Sequence, residues 1–165
     1  MNHLMPDSDP TQNFGFLMYE VSRLLRRELD RRLKPLGLTQ VQWRALAMLS
    51  RREGINQATL AEDLEVRPIT LGRLVDRLEA SGWVERRSDP RDRRACRLYL
   101  TPQVQPLLAQ IRSQAREVRK AALSGLEPEA RATLMNALCG IKQNLSGDAC
   151  GAPKKGADDN ADRQD

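Results

Sequence analysis

The feature that most restricts this chain is a change in the period of its apolar residues near residue 83. Over RPITLGRLVDRLEASGW, Leu71, Leu74, Val75 and Leu78 recur at helical spacing, and Pro68 stands where a first helical turn tolerates proline. Gly82 fits the C-terminal stop of that helix. After it Val84 opens one run, and Cys96, Leu98 and Leu100 alternate with Arg97 and Tyr99, the period of a half-buried strand. A helix running into a two-stranded ribbon with a long tip is the expectation. Within the tip, DPRDRRACR places Arg91, Arg93, Arg94 and Arg97 beside Asp89 and Asp92. A merely solvated charge run has no need of the alternation that follows it, and a buried strand does not tolerate the charge. A hairpin whose tip meets a polyanion reconciles the two.

The segments before the ribbon are helical. Apolar positions at 14, 17, 18, 21, 24, 25, 29, 33 and 36 make one long stripe, closed by KPLGL. Thr39 with Gln42 is a capping box opening a helix over about 41–51, and Gly54 breaks it. Asn56 caps a short helix that turns Leu60, Ala61 and Leu64 inward. Two short helices joined by a few residues, the second amphipathic, follow the grammar of a helix-turn-helix. A long helix after Thr101–Pro102 and a last one over 128–145 complete the chain, with Pro106 costing a backbone hydrogen bond near the first turn of the former. Residues 1–12 and 147–165 carry no apolar period and read as disordered.

Charge and composition narrow the function. The chain has 27 Lys+Arg against 22 Asp+Glu, a formal net charge of +5. Only five of the basic residues are lysines, which favours forked contacts to phosphate or base edges over a diffuse positive coat. Residues 86–97 alone hold six arginines and two aspartates. The single histidine is His3, and the three cysteines (Cys96, Cys139 and Cys150) have neither disulfide nor zinc spacing. No catalytic residue set, metal ligand set or cofactor-binding loop is apparent, and no stretch approaches the length of a membrane span. A non-enzymatic, cytoplasmic protein is expected.

The composite LAEDLEVRPITLGRLVDRLEASGWVERRSDPRDRRACRLYLT resembles the MarR family of bacterial transcriptional regulators, and the likeness extends over roughly residues 13–146. DPRDRRACRLYLT matches the family's wing pattern of Asp-x-Arg-Asp-x-Arg leading into a leucine-threonine strand end. Val104 departs from it, since relatives usually carry glycine after that strand. The resemblance implies a mainly α, winged helix-turn-helix fold with a two-stranded β wing and N- and C-terminal dimerisation helices. The corresponding division is a dimerisation helix over 13–38, a DNA-binding region over 39–101 and C-terminal dimerisation helices over 102–146.

It implies a homodimer bound to double-stranded DNA at a pseudo-palindromic operator with half-sites about 10 base pairs apart, acting as an effector-responsive repressor. On the 67–81 helix, Ile69, Thr70, Arg73, Asp76 and Arg77 lie off the apolar stripe. Arg73 stands where relatives place a base-reading arginine, and Thr70 suits a phosphate or a thymine methyl. Arg94, then Arg93 and Arg91, would enter the minor groove. Arg86 and Arg87 would meet the DNA backbone, while Asp89 and Asp92 hold the tip in shape. The bland alternatives are an exposed helix face on which Arg73 and Arg77 pair with Asp76, and a loop paired only with itself. Many relatives release DNA on binding a small aromatic or anionic effector; Tyr19, Arg23, Trp43 and Met48 are the candidates here, with core packing the competing role of Trp43 and Met48. Cys96 is expected on the inward face of the wing as a small hydrophobe. A winged helix that docks proteins instead of DNA is the alternative function.

Overall fold

The computed structural model describes residues 13–89 and 96–146. The expected disorder of 1–12 and 147–165, and the tip residues Arg91, Asp92, Arg93 and Arg94, lie outside that range. The elements are α1 (Phe14–Leu33), a 3₁₀ turn (Lys34–Leu36), α2 (Gln40–Leu49), β1 (Ile55–Asn56), α3 (Gln57–Leu64), α4 (Pro68–Ala80), β2 (Val84–Ser88), β3 (Cys96–Leu100), a second 3₁₀ turn (Pro102–Val104), α5 (Gln105–Ala122) and α6 (Pro128–Ser146). They divide into two units at 122/123.

The helix ends follow the local chemistry. Asn13 Oδ1 accepts from the Phe16 N–H at 3.0 Å and starts α1. Thr39 and Gln42 form the reciprocal capping box of α2, with the Thr39 N–H donating to Gln42 Oε1 at 2.9 Å. Asn56 Oδ1 accepts from the Thr59 N–H at 2.8 Å and starts α3. At the end of α4 the Trp83 N–H returns to the Leu78 carbonyl and the Gly82 N–H to that of Glu79. This Schellman arrangement needs the left-handed φ of +70° that Gly82 adopts. Pro106 falls in the first turn of α5, where a backbone N–H lacks an intrahelical partner in any case. Val104, in the place of a glycine, is fully buried at the end of the preceding turn.

One core holds the first unit together. Leu46 and Leu49 of α2, Leu60 and Leu64 of α3, Leu71, Val75 and Leu78 of α4, Val84, Leu98, Val104 and Leu108 are all buried in it. Each such side chain stabilises the fold by about 1.5–3 kcal/mol relative to exposure. Trp43 joins this core, and its Nε1–H donates to Asp30 Oδ1 at 2.5 Å; Gln40 Nε2 donates to Oδ2 of the same carboxylate at 2.8 Å. Asp30 thereby ties α1 to the start of α2.

The sheet has three antiparallel strands in the order β1-β3-β2, one more than the ribbon read from sequence. Ile55 pairs with Leu98 and Asn56 with Arg97. Two residues are too short to show any period, which is why β1 escapes a sequence reading. In the β2–β3 ladder Val84 faces Leu100, Arg86 faces Leu98 and Ser88 faces Cys96. Cys96 has the parity of Leu98 but is exposed, contrary to expectation. It stands at the far end of the ribbon, beyond the core that covers Leu98.

Only the C-terminal part of the α1 stripe meets this core. Leu33 is buried and Leu29 and Leu36 pack against it, whereas Phe14, Leu17, Met18, Val21, Leu24 and Leu25 are exposed. In the second unit α6 buries no side chain, and Leu134, Met135 and Leu145 are open to solvent.

Candidate nucleic-acid interface

Helix α4 is two-sided. Leu71, Leu74, Val75 and Leu78 fix its inner face in the core, so Ile69, Thr70, Arg73 and Arg77 emerge on the other side, all exposed. Ile69 is 66% exposed, far more than a packing role requires. Neither Arg73 nor Arg77 pairs with a carboxylate among the described residues. Asp76, their nearest acidic neighbour in sequence, is engaged elsewhere.

Its partner is Arg86. The Arg86 Nη2 donates to Asp76 Oδ1 at 2.6 Å and Nη1 to Glu79 Oε2, while the Arg86 backbone N–H donates to Glu79 Oε1 at 3.2 Å. Burial weakens the charged form, yet the two carboxylates outweigh it and raise the Arg86 guanidinium above its ordinary pKa. Strand geometry explains the arrangement. Arg86 has the parity of Val84, so both point from β2 toward the helices. Parity was the signal available in the sequence for this inward arginine.

The rest of the wing base is also internally paired. Arg87 is on the opposite face, bonded to Glu85 and stacked over the Tyr99 ring at 4.3 Å from its centroid. Arg97 Nε donates to Asp89 Oδ2 at 2.8 Å and its Nη1 to the Gly54 carbonyl at 3.1 Å, joining the edge of the tip to the turn before β1. Gly54 takes a left-handed φ of +75°, and a Cβ there would meet the Tyr99 hydroxyl at 3.0 Å. At the other end the Thr101 hydroxyl donates to the Gly82 carbonyl, fastening the exit of β3 to the end of α4. Three guanidiniums (Arg86, Arg87 and Arg97) therefore face four carboxylates (Asp76, Glu79, Glu85 and Asp89). Of the six arginines counted over 86–97, the three at the described base of the wing are thus paired with carboxylates.

The four effector candidates fall into two groups. Trp43 lies in the core and Met48 packs against it, whereas Tyr19 is exposed on α1 and Arg23 of the same helix is bonded to Glu20 at 2.9 Å. An open cleft of about 400 Å³ between the end of α2 and the start of α5 is lined by Arg51, Glu53, Gln105 and Arg112 among others, and by none of those four. Among the described residues no three potential ligands gather as a metal site, and no helix is long and apolar enough to cross a membrane.

A helix anchored on one face and open on the other, preceded by a short capped helix and clamped to a β ribbon, defines a winged helix-turn-helix protein. The sequence model of the MarR family matches residues 38–96. The crystal structure of the transcriptional regulator PA3341 is 40% identical, with a TM-score of 0.71; the match covers 82% of this chain and 99% of that one. A MarR-family regulator from Silicibacter pomeroyi is 28% identical with a TM-score of 0.73, over 83% of this chain and 92% of its own. A cysteine-to-serine variant of E. coli MarR, crystallised with operator DNA, is 27% identical with a TM-score of 0.66, over 82% and 99%. The chain belongs to the MarR family, whose members are transcriptional regulators.

Proposed function

We propose that the chain binds double-stranded operator DNA sequence-specifically as a homodimer and acts as an effector-responsive repressor. The observation that carries this reading is the outer face of α4, where Arg73 and Arg77 stand exposed beside Ile69 and Thr70 with no carboxylate partner among the described residues. A free guanidinium on a helix of this width suits forked contact with guanine in the major groove. Arg94, with Arg93 and Arg91, serves the minor groove; Asp92 shapes the tip with Asp89. The operator complex of the E. coli relative supports the DNA target.

The open apolar face of α1 and, separately, the exposed apolar residues of α6 support the homodimer, because an apolar helix face left open in this way marks an interaction site. The proposed division is a dimerisation helix over 13–38, a DNA-binding region over 39–101 and further dimerisation helices over 102–146. The effector is a small aromatic or anionic molecule, and the exposed Tyr19 and the half-buried Arg23 are its contacts of choice.

One observation favours a second reading, a protein-docking winged helix: the internally neutralised wing base. A titration against the promoter region of the chain's own gene separates them. An operator-binding dimer loses affinity steeply with salt, with a log–log slope of about −0.9 per neutralised phosphate, and Arg73→Ala costs about 1–3 kcal/mol. Salt-independent behaviour and an inert Arg73→Ala would favour docking.

A further inference from the structure

An arginine at the base of a DNA-binding ribbon is readily assigned to a phosphate. Arg86 is already turned inward and engaged: two of its three guanidinium nitrogens are bonded to Asp76 and Glu79, and its side chain is only 24% exposed. We propose that Asp76, Glu79 and Arg86 form a positioning clamp that sets the angle of the wing to the recognition helix, and that Arg86 acts on DNA affinity through this geometry and not through a phosphate contact. The inference rests on the DNA-binding reading above.

The connections are specific. Asp76 and Glu79 are three residues apart on α4, one above the other on a helix face. Glu79 holds both the backbone N–H and the guanidinium of Arg86, so it fixes where β2 leaves the helix as well as which way the side chain points. Arg86 is also the register partner of the buried Leu98 on β3, so the clamp reaches the whole ribbon. Planar forked donors match two carboxylates at once, which an ammonium does not do with the same geometry. A purely electrostatic role is the alternative to the clamp. Asp76 and Glu79 belong to the helix that carries Arg73 and Arg77, and in that role Arg86 would only offset their charge toward approaching phosphates.

These two roles predict opposite signs. On electrostatics alone, Asp76→Asn and Glu79→Gln remove negative charge near DNA and tighten binding. As clamp variants they weaken it. The experiment is an anisotropy titration over a salt series, using a duplex from the chain's own promoter region, with wild type, Asp76→Asn, Glu79→Gln, Arg86→Gln, Arg86→Lys and, as control, Arg73→Ala. The clamp predicts a loss of about tenfold for Arg86→Gln at the wild-type salt slope, partial rescue by Arg86→Lys, and weaker binding in both acid variants. In the Asp76→Asn/Arg86→Gln double variant the two losses should not add. A slope lower by about 0.9 in Arg86→Gln, with acid variants binding as well as wild type or better, overturns the clamp and makes Arg86 a phosphate contact.

Amide exchange in free protein gives a readout without DNA. Exchange over 84–88 and 96–100 should quicken in Arg86→Gln and in Asp76→Asn/Glu79→Gln, while the buried side of α4 keeps its protection. Wild-type exchange in these variants overturns the clamp. If wild type binds no DNA at low salt, the functional reading fails separately, and exchange alone decides whether the clamp exists.

Discussion

Asp30 on α1 accepts a hydrogen bond from the indole of Trp43 on α2 at 2.5 Å, so a largely buried aromatic is held by a carboxylate from the neighbouring helix. The same carboxylate takes the Gln40 amide. Removing it leaves a buried N–H without an acceptor, which costs more than the bond itself contributes. Asp30→Ala is expected to lower stability by about 1–3 kcal/mol, and Asp30→Asn, which keeps an acceptor, by less. Urea unfolding followed by far-UV circular dichroism measures both. Equal stability of Asp30→Ala and wild type would show that the contact carries no weight.

Gly82 and Glu65 both adopt left-handed backbone, at φ +70° and +57°, and they answer substitution in opposite ways. Gly82 closes α4 and adjoins the Thr101 hydroxyl bond, so Gly82→Ala should destabilise by about 1–2 kcal/mol. Glu65 takes the same conformation with a side chain, in the turn between α3 and α4. Glu65→Gly relieves that strain but adds freedom to the unfolded chain, so it should raise stability by no more than about 1 kcal/mol. Thermal melts of the two variants side by side test the contrast, and a destabilised Glu65→Gly would contradict it.

Cys96 reports on the wing. It is exposed at the end of the ribbon next to the tip, and Cys139 is half-buried. In a Cys139→Ser/Cys150→Ser background, a maleimide should label Cys96 rapidly in free protein and at least several-fold more slowly with operator duplex present. Adding Arg94→Ala should remove much of that protection. Identical labelling rates with and without DNA would mean that the wing does not approach the duplex.

Local chemistry explains which parts of this fold are legible in sequence. The caps at Thr39 and Asn56, the stop at Gly82 and the stripe of α4 each depend on residues within one turn of one another, so spacing reveals them. Strand β1 is two residues long and exists because Leu98 and Arg97 come to pair with it, a contact across more than forty positions. Parity puts Cys96 on the Leu98 face of the ribbon, but it says nothing about how far along a ribbon the core extends. Arg86 shows the reverse. Its charge suggested a DNA contact while its parity with Val84 pointed inward, and the carboxylates that receive it are seven and ten residues upstream on another element. The apolar stripe of α1 was visible throughout; only the fold shows that the core covers just its last turns.

Acid should expose one ion-pair cluster on α1. Arg31 first and then Arg32 bond to Glu28, with Arg31 Nη2 and Arg32 Nε both 2.7 Å from Oε1, and together they lower the Glu28 pKa from 4.5 to about 2. A carboxyl depressed by folding binds its proton more weakly in the native state than in the unfolded one. Its contribution is therefore complete above pH 4.5, declines as pH falls through that value, and is gone below about pH 2. The cluster is partly open to solvent, so salt should shrink the effect. Wild type is expected to be slightly more stable than Glu28→Gln at neutral pH, with the two curves converging as acid is added and with the gap narrowing at ~1 M salt. Urea midpoints measured across this pH range provide the check. A gap that persists unchanged at the acid limit would mean that Glu28 acts through packing of its side chain and not through its charge.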